Sequence, residues 1–488
     1  MQGLNTDNIF LAAEDCPPSE FSRYHLFVEH DERLIRALIA HGPVLIRGGR
    51  GAGKSALMLE AARRLVANPS SIGIYISLRY LPLLRTTDVE YISHFARLTS
   101  EQVHKSVRAS EETFPVCTTV ESLKANLSAL CSRTSKRIVL LFDDAAHIGR
   151  ESSLDEFFDS FRMLSSSEVS CKASIYPGVT KFGVRFDVYN DATVLDISKD
   201  ERSPEFNGFF LKVLKIRAPS FSLQLGAFSR LTDEEVAGLV ARCVLGNMRA
   251  FVLAIDRLAD QGTFEGFSSL RSLLMALAGD YFWPLLEEVR PKLGMYEPMA
   301  EVSQTIAEQL FEFAGESGTA SVVIKREICQ SIAKPLEILE YLGFIAKREA
   351  SRAVTGGGRG PRYSLNLATL FERTRTKQLS NSMVKNWLYD HVEVLSINSS
   401  NNPISVVMPV LSTTNDLTVF ALPVNKLQKS NAYPYGLTND KIQRLVASGF
   451  STIGEVAQAS DEQLDAVPLI GDVWVRRIRD VVSQSIWM

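Results

Sequence analysis

The sequence predicts an α/β fold: a parallel sheet flanked by helices, then an all-helical segment, then smaller domains. Three observations carry that prediction. Five apolar runs of strand length, "GPVLIRG", "SIGIYISLRYL", "KRIVLLFDDAAHI", "SCKASIYPGVTKFG" and "ATVLDISKDERSPEF", alternate with helical spacing over about the first two hundred residues, as buried parallel strands and their crossover helices do. From about residue 204 to 290 the spacing is helical throughout, in "EFNGFFLKVLKIR", "LTDEEVAGLVARCV", "NMRAFVLAIDRLADQ" and "SLRSLLMALAGDYFWPLLEEV". The first strand runs directly into "GGRGAGKS", a glycine-rich bend that opens a helix.

That bend is where the chemistry begins. Gly48, Gly53, Lys54 and Ser55 fit G-x-x-x-x-G-K-[ST]. With Gly49, Gly51 and Ala52 they make a loop that turns its N–H groups inward as a nest for phosphate. The helix that follows adds its positive end. Lys54 has the length to reach β- and γ-phosphates, and Ser55 supplies a hydroxyl to Mg²⁺. The cofactors predicted are ATP and Mg²⁺. The third run, "KRIVLLFDDAAHI", delivers Asp143 and Asp144 at its carboxyl end, 89 residues after Lys54. A buried parallel strand presents acids there to a phosphate-bound metal. Asp143 is the expected metal ligand, direct or through water, beside Ser55. Asp144 is the expected group that orients or deprotonates the attacking water. Two readings stand for His147: a contact to a sensor loop, or a cap on the next helix.

These residues together resemble AAA+ ATPases, most closely the origin-recognition and archaeal-initiator group and its bacterial relatives. The resemblance covers about residues 20–290. "FVEHDERLIRAL", from Phe27 to Leu38, resembles the box that those proteins place beside adenine. "GNMRAFVLAIDRL" resembles their lid helix, which implies that Arg249 senses the γ-phosphate; the other reading pairs Arg249 with a carboxylate. The resemblance places a polar sensor at Thr180 and asks for an arginine presented to a neighbouring subunit, for which Arg185 is the candidate. Asp144 stands where glutamate is usual, and His30 where arginine is usual. The paired aspartates also resemble the STAND class of signalling ATPases.

Beyond residue 290, "SVVIKREICQSIAKPLEILEYLGFIAKREASRAVTGGGRGPRYSLNLATLFE" reads as two helices, the second from about Lys334 to Leu342, and two strands around "TGGGRGPR". This looks like a winged helix, which in the initiator family binds duplex DNA. Lys325–Lys385 holds 12 Lys+Arg against 5 Asp+Glu, within a chain of net charge −3. Lys347, Arg348, Arg352, Arg359 and Arg362 fall in or beside the hairpin and are the expected phosphate contacts. Two other readings stay open: a protein-contact module, or a solvated sheet edge. The run Gly356–Gly358 predicts a mobile tip. "ISVVMPVL" and "LTVFALPV" read as two strands of a small hairpin or sheet. The tail, about 435–483, resembles paired helix–hairpin–helix units like the RNA polymerase α C-terminal domain. There Gly471, Arg476, Arg477 and Arg479 are candidate DNA contacts. "PLIG" replaces P-G-x-G and puts Leu469 at a glycine position.

The expected domains are therefore 1–203, an AAA+ core; 204–290, a helical lid; 291–385, a winged helix; 386–430, a β-rich connector; and 431–488, a helix–hairpin–helix domain. Apolar residues make up 45% of the chain and charged residues 22%, a globular composition. Six scattered cysteines without a CxxC pair predict reduced thiols and no zinc finger. The opening residues predict no signal peptide, and no run is long enough for a membrane span. Together these predict a cytoplasmic ATPase that binds duplex DNA and forms a homo-oligomer. The alternative is a STAND-like nucleotide switch in a bacterial, antiphage setting, signalling to a separate effector protein.

Overall fold

The structure is a computed structural model. It describes residues 13–78, 81, 88–108, 111–146, 151–179, 182–183, 185–226, 228–389, 394–411, 418–429 and 436–487. Its first sheet holds five parallel strands: β1 (Val44–Arg47), β2 (Ser71–Ser77), β3 (Arg137–Ala146), β4 (Val169–Ile175) and β5 (Thr193–Asp196), in the order β2-β3-β4-β1-β5. These are the five apolar runs. Leu45, Ile74, Leu140 and Ala173 are fully buried on one face and Ile46, Val139 and Leu141 on the other. Burial on both faces explains why the runs are apolar without alternation. Central β4 also carries a buried lysine. Lys172 Nζ donates to the carbonyls of Ala37, Ala40 and Gly42 at 3.1, 2.7 and 2.5 Å, so it ties off the helix Glu29–Ile39 and the turn into β1.

The order brings the carboxyl ends of β3, β4 and β1 side by side. The loop after β1 opens the helix Lys54–Val66, and β3 ends in a register break between Phe142 and Ala146. Helices Phe206–Arg217, Asp233–Arg242, Met248–Asp260 and Phe267–Leu277 follow as the helical segment. A five-residue π-helical stretch, Ala278–Phe282, continues into Trp283–Val289.

A second sheet follows, of β6 (Ser321–Ile324), β7 (Ile345–Ala353), β8 (Arg359–Leu365) and β9 (Leu395–Ile397), in the order β7-β8-β6-β9. β7 and β8 form the expected hairpin, and β9 pairs parallel with β6. Helices Arg326–Ser331 and Ala333–Leu342 precede the hairpin. The sheet thus draws in a strand from beyond residue 385. The two strands expected around 404–424 do not form. Ile404–Leu411 makes no ladder, and Thr418–Ala421 and Val424–Leu427 are 3₁₀ turns. Pro409 and Pro423 remove ladder donors, and Gln309 takes up the Ser405 backbone instead. The tip of the hairpin is bonded to β9 and the loop after it, through Thr355 N to Ser396 Oγ at 3.1 Å and Asn398 Nδ2 to Thr355 O at 2.7 Å. The tail packs helices Asn439–Ala447, Ile453–Gln458, Asp461–Asp465 and Asp472–Trp487 around a core of its own, including Leu445, Val456, Leu464 and Ile478. Among the described residues no helix is long and apolar enough to cross a membrane.

Candidate functional site

A cavity opens over the carboxyl ends of β1 and β3. One end is the glycine loop, from Arg50 to Ser55, with Asp144 and Arg249. The other is a largely apolar slot of Tyr24, Leu26, Phe27, Phe209, Val213 and Met248, with Arg217 over the Tyr24 ring at 4.8 Å and Lys199 over the Phe209 ring at 4.7 Å. Gly53 has φ of 104° and open space where a side chain would begin, so a ligand can approach its backbone. Gly48 is required from behind: a Cβ there would lie 2.5 Å from Ile197 Cγ1.

Lys54 opens the helix and is buried. Its Nζ donates to the carbonyls of Gly48 and Gly49 at 2.8 and 3.1 Å and lies 3.5 Å from the Tyr176 ring centroid. Burial pushes the ammonium down to about 7, against the pull of Asp144 and Asp143. Asp143 is fully buried behind the cavity. Its Oδ1 accepts from Ser174 Oγ at 2.6 Å and from Asp144 N at 3.0 Å, and its Oδ2 lies 2.7 Å from the donating Tyr75 hydroxyl. Asp144 sits at φ 54°, the left-handed region that aspartate tolerates better than most residues. Its N–H also donates to Ser174 Oγ at 2.8 Å, and its Oδ1 accepts from Tyr176 Oη at 3.0 Å. Two adjacent acids therefore face different ways, one backward into the sheet and one into the cavity.

The helical segment read above as a lid meets the loop through the start of Met248–Asp260. Asn247 caps the helix Met248–Asp260 and donates its amide to Arg50 O, while Arg249 N donates to Gly51 O at 3.1 Å. Arg249 thus stands on the first turn of that helix, lining the cavity. The helix Ala333–Leu342, which precedes the second sheet's hairpin, meets the loop from the other side. Arg50 N donates to Tyr341 O at 3.3 Å, the Tyr341 ring stands on edge to Tyr176 at 5.1 Å, and Lys334 Nζ reaches Gly178 O at 3.0 Å. The Arg50 guanidinium pairs with Glu288 at 3.6 Å.

The remaining predicted residues disperse. Arg185 is 74% exposed, outside the cavity, with Asp159 3.8 Å away. Thr180 and His147 lie outside the described residues. Of the five hairpin cations, Lys347 and Arg359 are exposed; Arg359 bonds Ser351 Oγ and O at 2.9 and 3.0 Å. Arg352 is half-buried, 3.3 Å from Glu349. Arg348 and Arg362 face inward, each 2% exposed. Arg348 Nε donates to Glu201 at 2.7 Å, and Arg362 Nε to Glu349 at 2.9 Å. The hairpin's charge count therefore overstates what it offers a ligand in this conformation, because carboxylates of the core and the hairpin itself hold three of the five. In the tail, Arg476 is exposed and Arg477 half-buried. Arg479 spans Asp461 at 2.9 Å and the carbonyls of Val456 and Ala457. Leu469 sits at φ 63°, 72% exposed, its carbonyl held by Lys441 Nζ at 2.7 Å.

Sequence reasoning missed Tyr75, Tyr176, Asn247, Tyr341 and Glu14, which complete the site. Each is brought there by packing and belongs to no motif; the one readable signal was Asn247, directly before a helical run.

No family model matches the chain, and no curated protein matches it. Solved structures do. Cdc6p from Pyrobaculum aerophilum is 12% identical over 75% of this chain and 96% of its own, with a TM-score of 0.34. The Aeropyrum pernix Orc1 protein in complex with DNA is 15% identical over 79% and 95%, at 0.29. Drosophila ORC bound to DNA is 10% identical over 74% and 97%, at 0.33. All three superpose loosely, at TM-scores of 0.34 or below.

The cavity fits ATP with Mg²⁺. The glycine loop offers open backbone to phosphates, and the apolar slot suits a base. Lys54, Ser55 and Arg249 surround the loop end, with Asp143 just behind.

Proposed function

We propose that the chain is an ATP-binding, ATP-hydrolysing AAA+ protein that binds duplex DNA. The observation that carries this reading is the convergence of Lys54, Ser55, Asp144 and Arg249 at the phosphate end of one cavity, with an apolar slot at the other. The loop N–H groups and Lys54 hold the phosphates. Ser55 and Asp143 would hold Mg²⁺, which would supply charge neutralisation at the phosphates. Asp144 orients the attacking water, and Tyr176 fixes its carboxylate. Arg249 balances charge at the γ-phosphate from the lid. Arg185 is exposed on the surface, where it is available to a neighbouring copy. Lys347 and Arg359 contact DNA phosphates first, with Arg476 and Arg477 of the tail as a second contact.

One observation favours a second reading, a nucleotide switch. The helix Ala333–Leu342 rests on the glycine loop through Tyr341, and Arg348 and Arg362 are paired to carboxylates. In that reading the nucleotide loosens the wing and turnover is incidental.

The test is ATP hydrolysis and retention by the purified protein, with and without duplex DNA, single-stranded DNA and RNA, beside Lys54→Ala. Hydrolysis stimulated by duplex and lost in the variant supports the first reading. Tight retention without stimulation supports the second. Turnover unchanged in Lys54→Ala refutes the site.

A further inference from the structure

The turn Ala13–Asp15 lies outside every motif, yet it reaches the phosphate end of the cavity. Cys16, Phe21 and Ala56 pack together, with Ala13 and Leu59 against them, and seat this segment on the helix that begins at Lys54. Glu14 lines the cavity as a result. Its Oε1 lies 2.6 Å from Tyr75 Oη, and the same hydroxyl lies 2.7 Å from Asp143 Oδ2. A phenol has one proton to donate, so it serves one of the two carboxylates at a time. The other oxygen of Asp143 is already engaged by Ser174 and Asp144. Glu14 and Asp143 therefore face one another across a single hydroxyl, with Asp144 close enough to act on that tyrosine as well. Lys54, the nearest cation of the loop, is turned onto the Gly48 and Gly49 carbonyls. The ammonium stays within electrostatic reach of Asp143 and Asp144.

Among the described residues no three acidic, histidine or cysteine groups hold a metal ion by themselves. Mg²⁺ keeps its waters and binds through one or two carboxylates plus substrate phosphates. Resting on the nucleotide reading above, we propose that Glu14 is a positioning residue of the metal–nucleotide site. With Tyr75 it holds the waters of the metal that arrives with the phosphates. Partners that hold metal-bound groups in this way are each worth about ten- to a hundredfold in metal affinity. The N-terminal segment thereby becomes part of the nucleotide site, and its seating on the helix depends on occupancy.

The experiment measures ATP and ADP affinity by calorimetry, in EDTA and in Mg²⁺, for the full chain and for Glu14→Gln and Tyr75→Phe. Mn²⁺ binding, followed by electron paramagnetic resonance, is a readout independent of turnover. The expected result is unchanged affinity in EDTA and about a tenfold smaller gain from Mg²⁺ in Glu14→Gln, with Mn²⁺ affinity falling in step. An equal Mg²⁺ gain in Glu14→Gln and wild type overturns the proposal. So does a loss of the same size with and without metal, which would mean that Glu14 only packs the segment. Nucleotide binding absent from the wild type overturns the nucleotide reading and this inference with it; normal binding with an unchanged metal gain overturns this inference alone.

Discussion

Glu201 is the carboxylate on which the wing is seated, and its removal tests that seating. Its side chain accepts from Arg348 Nε at 2.7 Å and from the Ser364 hydroxyl, with Arg362 Nη1 at 3.9 Å. Both guanidiniums are 2% exposed, and Arg348 Nη1 and Arg362 Nη2 are already without a hydrogen-bond partner among the described residues. Glu201→Ala therefore strands the buried Arg348 charge, while Arg362 keeps Glu349 at 2.9 Å. Breaking a buried pair by removing one partner costs about 3–5 kcal/mol. At roughly 1.4 kcal/mol per tenfold, the seated wing would lose at least about two orders of magnitude in population against the released one. Hydrogen exchange should show it directly, as lost protection over Ile345–Leu365, while β1–β5 amides stay protected. If the released arginines then meet phosphate, duplex affinity rises in the same variant. Burial pushes the Glu201 carboxyl up, but Arg348 and Ser364 outweigh it and hold it below the usual range. The seating is thus fully present above that range and is lost as acid protonates the carboxylate in the fold. Unchanged protection and melting in Glu201→Ala would refute the whole account of the interface.

The site itself makes three further predictions. Because burial holds Lys54 down to about 7 in the fold, the unfolded chain keeps a proton that the folded chain sheds, so stability should rise with pH from about 7 towards the ordinary lysine range; urea melts at pH 7 and 9 should show that slope in wild type and lose it in Lys54→Met. Phosphate needs the ammonium form, so nucleotide affinity should fall over the same interval. Gly51→Ala should push the lid off the loop, since its Cβ would lie 2.7 Å from Asn247 Oδ1 and 2.8 Å from Arg249 Cβ at a φ of 79°; the expected reading is roughly a tenfold weaker ADP affinity and faster proteolysis after Arg242. Lys347→Glu with Arg359→Glu should weaken duplex binding and lower its salt slope by about two, whereas Arg362→Glu should lower the melting temperature instead, because that side chain faces carboxylates.

The sequence made the sheet legible because parallel strands buried on both faces leave uninterrupted apolar runs. The glycine loop was legible because its turn requires particular residues at particular spacings. Asp143 and Asp144 were legible as a pair, but their opposite facing was not; it comes from the left-handed backbone at Asp144 and the pull of Ser174. Glu14, Tyr75 and Tyr341 reach the site from three separate stretches of chain, and nothing local to any of them announces it. The hairpin misled in a different way. A count of charges does not show which side of a strand a side chain takes, and Arg362 alternates inward on β8 while Arg359 stays out. In the connector, valine-rich runs with strand propensity gave way to prolines that cannot donate and to a glutamine that answers the backbone.

The late arrival of β9 bears on where this chain can be cut. Val322–Ile324 of β6 is flanked by β8 on one side and by Leu395–Ile397 on the other. A chain ended at 385, where composition places the boundary, would leave β6 with one side bare. That side carries unpaired amides and carbonyls next to Val322, Val323 and Ile324, all buried in the whole protein. Bare apolar edges recruit strands from other molecules. Truncations of this protein should therefore keep residues to 397 at least, and a shorter piece that clumps on expression would be reporting a missing neighbour strand, not an inability to fold.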